Sequence, residues 1–206
     1  MCNLYRMTKN TTEVADWFDI ADEMAGANFG AEVFPGYPGA VIEGGRLRQM
    51  NWGFPLQMKG KQGQPLKPKP VNNARTDKLE GFFWRSSFEQ RRCLIPLTAW
   101  AEAEGAKGSK SRSWLSVPGA ELFAAAGVWR QTDEWGDAYS MVMTDAAGRA
   151  AEVHTRMPVL LAPQDYAQWI KGSPAEAFEL CRPWQGDLAI DRTQEPWAGG
   201  GHARLL

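Results

Sequence analysis

Near the start of the chain, apolar residues recur at helical spacing. Val14, Trp17, Phe18 and Ala21 fall on one stripe, and Asn10 with Glu13 three positions on makes a capping box. This pattern predicts an amphipathic helix over 10–24. Pro35-Gly36-Tyr37-Pro38-Gly39 then marks a turn-rich passage. Val41 and Ile42, the pair Gly44-Gly45 and a return arm over 46–52 predict a β-hairpin. Residues 57–70 are rich in Lys, Gly, Gln and Pro without apolar periodicity, which predicts an exposed loop. A short helix over 78–90 would present Phe82, Phe83 and Phe88.

Four segments of strand composition follow, at 93–97, 113–117, 122–129 and 138–144, separated by Gly, Ser and Asp clusters. Two helices close the patterned region. The first, over 164–171, ends at Gly172; Ser173, Pro174 and Glu176 supply the cap, first-turn proline and capping-box partner of the second. Strands dominate the middle and helices the ends. The expected fold is therefore α+β, with a mainly antiparallel, partly closed sheet flanked by helices. There is no internal repeat and no sign of a boundary, so 1–206 reads as a single domain, with 195–206, including Gly199-Gly200-Gly201, as a flexible tail.

Composition narrows the class. With 44% hydrophobic and 23% charged residues the chain has the make-up of a folded protein rather than a disordered or fibrous one. No stretch approaches the ~18 apolar residues of a membrane span, and the first residues carry no apolar leader segment, so a cytoplasmic monomer without membrane contact is expected. Three widely spaced cysteines, Cys2, Cys93 and Cys181, argue against a disulfide framework. The net charge of -1 conceals an asymmetry: residues 46–112 hold 14 Lys and Arg against 5 Asp and Glu. Such a segment is either a set of solvated loops or a docking face for a polyanion.

Candidate chemistry is limited. With two histidines and no Cys-x-x-Cys pair, no metal site is expected. Neither a dinucleotide fingerprint nor a Walker sequence occurs, which removes nucleotide cofactors, and a Gly-x-Ser-x-Gly elbow is missing. Cys2 stands out. Removal of Met1 would leave an α-amine and a thiol on one residue; the amine is partly neutral near pH 8 and attacks aldehydes, and the thiol can close a five-membered ring on the same carbon. By position alone, Cys2 reads as an ordinary N-terminal residue.

Taken with Cys2 and Trp52-Gly53, three passages resemble one family: Asn73-Ala74-Arg75, the run from Arg92 to Pro96 leading to Glu102, and His154-Thr155-Arg156-Met157-Pro158. Together they are similar to the SOS-response-associated peptidase (SRAP) family, in the family's order, from residue 2 to about 170. The resemblance implies a barrel-like sheet and a protein that crosslinks itself to abasic sites in single-stranded DNA, with no cofactor. It implies Cys2 as nucleophile, Asn73 as a polar neighbour, and Glu102 and His154 as proton-transfer groups, with Arg75 and Arg156 holding the DNA backbone. Trp52 and Trp100 are candidates for stacking on splayed bases. This chain departs from the family at Asn3-Leu4, where Gly-Arg is usual, at Ala101 and Ala103 in place of aromatics beside Glu102, and at Asp77 in place of glutamate. Two other readings remain open here: a cysteine peptidase or amidohydrolase acting through Cys2, and a single-strand binding module in which Cys2 is incidental.

Overall fold

The computed structural model describes residues 2–27 and 30–197. In chain order the elements are β1 (Tyr5–Arg6), α1 (Thr11–Phe18), β2 (Ala21–Asp22), β3 (Glu32–Val33), β4 (Pro38–Glu43), β5 (Arg46–Trp52), β6 (Phe54–Lys59), β7 (Pro65–Val71) and β8 (Asn73–Arg75). There follow α2 (Arg85–Gln90), β9 (Arg92–Leu97), β10 (Ala99–Glu104), β11 (Ser111–Ser116), β12 (Phe123–Thr132), β13 (Gly136–Asp145), β14 (Arg156–Pro158), β15 (Leu160–Leu161), α3 (Tyr166–Lys171), α4 (Pro174–Glu179) and β16 (Ala189–Pro196). Among the described residues, no helix is long and apolar enough to cross a membrane.

The α+β reading holds, and the sheet closes into a barrel. Strands β5, β4, β9, β12 and β13 pair in succession, and β13 returns to β5 through a parallel contact that sets Ala138 opposite Asn51 and Tyr139 opposite Trp52. A second antiparallel sheet, in the order β16-β11-β10-β1-β3, packs on this ring, and Tyr5, Trp100 and Leu115 share its core. Inside, the Tyr5 and Tyr139 hydroxyls meet at 2.6 Å and so bridge the two sheets. Gly39 makes room for them, since a Cβ there would lie 2.1 Å from one hydroxyl and 2.4 Å from the other.

Local chemistry explains where elements start and stop. The hairpin of β4 and β5 turns at Gly44 and Gly45, both at positive φ (59° and 76°), as a two-residue loop matched to strand twist requires. Helix α1 keeps its capping box but is shorter than the periodicity suggested. It stops at Phe18 because Asp19 takes the left-handed conformation (φ 50°, ψ 57°) and closes the end with bonds to Ala15 and Asp16 carbonyls. Ala21 and Asp22 then join β5 as a strand. The buried stripe contains Thr11, Val14 and Ala15; Trp17, 53% exposed, is not on it.

Three further expectations change. Residues 57–70 are largely ordered as a ribbon, β6 paired with β7, which stays solvated because it pairs only with itself. The helix over 78–90 shrinks to α2, preceded by a turn of 3-10 helix at Thr76–Lys78 and an irregular link that leaves Phe82 wholly exposed. The tail does not begin at 195, since β16 runs to Pro196 along β11 and Glu195 approaches Arg112 at 3.4 Å; residues 198–206, with the glycine triplet, lie outside the described residues. Among the closing helices, α4 forms behind the capping box of Ser173 and Glu176 as its sequence prescribes.

Candidate functional site

Cys2 lies just ahead of β1, where the chain runs antiparallel to β10 and Ala101 N–H donates to the Leu4 carbonyl at 2.9 Å. That register carries Glu102 to the same end of the sheet. The opposite wall is the break between β7 and β8. Asn72 belongs to neither strand, so the alternation of side chains is interrupted and two successive asparagines reach one point: Asn72 Nδ2 donates to the Cys2 carbonyl at 2.9 Å, and Asn73 Nδ2 donates to the same oxygen at 2.8 Å. Asn72 also reaches Asn3 Oδ1 at 3.1 Å. Trp52 fixes this corner from below, donating from Nε1 to the Asn72 carbonyl at 3.1 Å.

Burial sets the electrostatics. Cys2 is wholly buried, and this, with the nearby Glu102 carboxylate adding to it, pushes the thiol far above its ordinary value, so the sulfur is protonated at neutral pH. Glu102, 2% exposed, is raised by desolvation from 4.5 to about 7. A carboxyl poised there can both give and take a proton at physiological pH. His154, on the link from β13 to β14, has its Nδ1 3.0 Å from the Arg156 N–H and 3.3 Å from the Arg156 carbonyl; the shorter contact, with Nδ1 accepting, goes with a neutral ring protonated at Nε2. Burial lowers its pKa and favours that neutral form.

Two arginines meet beside β13. Its partners β8 and β14 put Arg75 opposite Met143 and Arg156 opposite Asp145. Asp77 binds Arg75 through two bonds of 2.9 and 2.7 Å and stands 3.9 Å from Arg156, which also approaches Asp145 at 3.5 Å.

The sequence pattern of the family described as SOS response associated peptidase (SRAP) matches residues 1–195 of this chain. The chain belongs to the SRAP family. Among solved structures it resembles a protein from Bacteroides thetaiotaomicron (18% identity, 93% of this chain and 91% of that one covered, TM-score 0.77). It also resembles a protein from Bordetella bronchiseptica (20% identity, 93% and 99% covered, TM-score 0.78) and a phage-related protein from the same organism (17% identity, 94% and 95% covered, TM-score 0.68). At these identities the likeness is one of fold. No curated protein sequence matches the chain.

In this SRAP domain Asn73 and the Glu102 carboxyl both lie beside Cys2, and Asp77 stands between Arg75 and Arg156. Trp52 and Trp100 do not fit the stacking role expected of them. Both are 0% exposed: Trp52 packs against Tyr5 and Tyr139, and Trp100 against Phe123. The departure at Leu4 also has a structural reason, because Leu4 fills a small apolar cluster with Ala101 and Trp114. Arg6, two residues on, lies over the Trp114 ring at 3.6 Å and pairs with Glu32. Asn72 and Asn3 were missed by sequence reasoning. The doublet Asn72-Asn73 was the available signal, and it reads as a turn until the break between β7 and β8 is known.

Proposed function

We propose that this SRAP protein captures abasic sites in single-stranded DNA by a covalent bond to Cys2. What carries the reading is the convergence of Asn72 and Asn73 on the Cys2 carbonyl, which holds residue 2 close to a buried carboxyl that titrates near 7. Once Met1 is removed, the Cys2 α-amine adds to the C1′ aldehyde of the opened sugar. The carbinolamine loses water to an imine. The Cys2 sulfur then adds to the imine carbon, its proton passing to the nitrogen, and a thiazolidine results with one water released in all.

Each residue has a task that follows from its state. Glu102 donates a proton to open the sugar hemiacetal and accepts one from the thiol, which burial keeps protonated until ring closure. His154, neutral with its proton on Nε2, is a second donor for the departing water. The Asn73 Oδ1 atom is buried and has no hydrogen-bond partner among the described residues, and it is available to accept from the liberated amine. Arg75 and Arg156 exchange Asp77 for phosphate.

A hydrolytic reading, in which the Cys2 thiol attacks an amide, is favoured by the family's description as a peptidase. The raised thiol weighs against it, since cysteine hydrolases work through a thiolate whose pKa is lowered. The deciding test incubates protein lacking Met1, verified by intact mass, with a single-stranded abasic oligonucleotide and resolves the product on a denaturing gel. A shifted band that disappears in Cys2→Ala, and when Met1 is retained, is expected. No band with the processed protein, or turnover of a peptide in its place, overturns the proposal.

A further inference from the structure

Beside the site a groove of about 350 Å³ opens between the β6–β7 ribbon and the link that follows the Thr76–Lys78 turn. Its floor is apolar, formed by Leu56, Val71, Phe83 and Trp84, and Phe82 stands over it, wholly exposed. Among the described residues Phe82 is the most exposed large apolar side chain, about twice as exposed as Trp17 or Tyr37. The exposed apolar side chains of the neighbouring ribbon, Leu56 and Leu66, are 42% and 47% exposed.

Charge says what the groove fits. Lys78 lines it, and Lys69 sits opposite Leu56 across the ribbon, on the face that carries Leu56. Beneath the floor, the Arg130 guanidinium lies 4.6 Å from the centre of the Phe83 ring. No carboxylate lines the groove, and among the described residues none of Lys59, Lys61, Lys67, Lys69 and Lys78 is ion-paired. By contrast Arg46, Arg48, Arg75 and Arg112, from the same basic segment, are all held by carboxylates. Of the cations in that segment without a carboxylate partner, Lys69 and Lys78 are the two that stand at this groove, beside the bare ring. A flat apolar group carrying an anion is the ligand that matches both features.

The groove is continuous with the site. Strand β7 passes from Val71, in the groove, into Asn72 and Asn73, about 7 Å further on at strand spacing. Lys78 follows three residues after Arg75 in the same way. We propose that the groove receives a base of the DNA strand flanking the lesion, roughly two nucleotides away at stacked spacing, stacked on Phe82 with its phosphate between Lys69 and Lys78. The inference rests on the reading of the site as a single-stranded DNA site.

The test measures binding of single-stranded DNA without a lesion, separately from crosslinking to an abasic oligonucleotide, for the parent, Phe82→Ala, Phe82→Trp and the double variant Lys69→Gln/Lys78→Gln. Phe82 is solvent-exposed, so its replacement leaves the fold intact. Stacking on an aromatic ring leads us to expect about ten-fold weaker binding or more for Phe82→Ala, with Phe82→Trp retaining parental affinity. The lysine variant should weaken binding and flatten its salt dependence, lowering the log–log slope by about 1.4. Below saturation, Phe82→Ala should crosslink abasic DNA more slowly than the parent, in step with its weaker binding. A 2-aminopurine probe stepped along the oligonucleotide should be quenched on one side of the lesion only, and only when Phe82 is present. Parental DNA affinity in Phe82→Ala, or quenching that ignores residue 82, overturns the groove assignment, whatever else binds there. If the parent binds DNA through Phe82 but never crosslinks, the groove stands and the covalent reading of Cys2 fails.

Discussion

Burial of Glu102 ties its chemistry to stability. The carboxyl titrates near 7 in the fold against 4.5 in the open, so between those values the folded chain keeps a proton that the unfolded chain has released. Stability must then fall as pH rises from about 5 to 7, by roughly 3 kcal/mol in all, and level off above. Glu102→Gln removes this slope. Urea melts from pH 5 to 8 should show the variant flat where the parent declines, and more stable than the parent at pH 8, while crosslinking is lost. A parental slope in the variant would mean that another group is responsible.

Asp77 permits a second prediction at the same scale. Its carboxylate occupies the fork of Arg75, whose hydrogen bonds hold it below the usual carboxylate range, and it faces Arg156 as well. On the proposed reading, phosphate displaces it. Asp77→Asn should tighten binding of single-stranded DNA by about two- to five-fold at low salt, with the gain shrinking as salt is added, as fits exposed charges. Fluorescence anisotropy across a salt series checks this.

Among the elements, the helices are joined to the barrel by one buried cation. Arg92 opens β9 and its guanidinium donates to the Phe88 carbonyl at 2.6 Å and the Trp169 carbonyl at 2.5 Å, and also to the Gly172 carbonyl. These are C-terminal carbonyls of α2 and α3, which no further turn would satisfy. Arg92→Met keeps the length of the side chain and leaves buried acceptors without donors. A loss of about 3 kcal/mol or more in denaturant unfolding is expected. Lysine should rescue only in part, because one ammonium cannot span the planar fork. Helix starts and the hairpin were readable because their signals are local: Asn10 with Glu13, Ser173 with Glu176, and Gly44-Gly45. The end of α1 was not, since two stripes shared Val14 and Phe18, and only packing against the barrel chose the one without Trp17. The ribbon escaped notice because its pairing is by backbone, between strands whose prolines and lysines carry no alternation.

For the whole molecule, closure of the ring is the decisive event. It sets β13 beside β5 and β8 and brings Tyr139 to Tyr5 across the interior. Gly39 is the clearance for that contact, and Gly39→Ala should cost ~2 kcal/mol or more through overpacking, visible as a lowered melting temperature. Tyr139→Phe in the same background removes one of the two hydroxyls and should recover part of the loss. No recovery would place the strain elsewhere.

Read alone, the sequence determined whatever depends on near neighbours or on residue type: the caps, the tight turn, the strand-rich middle, and a set of polar residues, Cys2, Asn73, Glu102 and His154, whose order along the chain marks the family. It could not say which aromatics face water. Trp52 and Trp100 are stacking candidates by residue type and are core; Phe82, grouped with Phe83 and Phe88 on one predicted helix, is bare while Phe88 is buried. Nor could it reveal that Asn72 joins Asn73 on one carbonyl oxygen, because strand alternation sends neighbours to opposite faces unless pairing breaks between them. Burial and convergence are properties of contacts between segments about seventy residues apart, and only the closed barrel fixes those contacts.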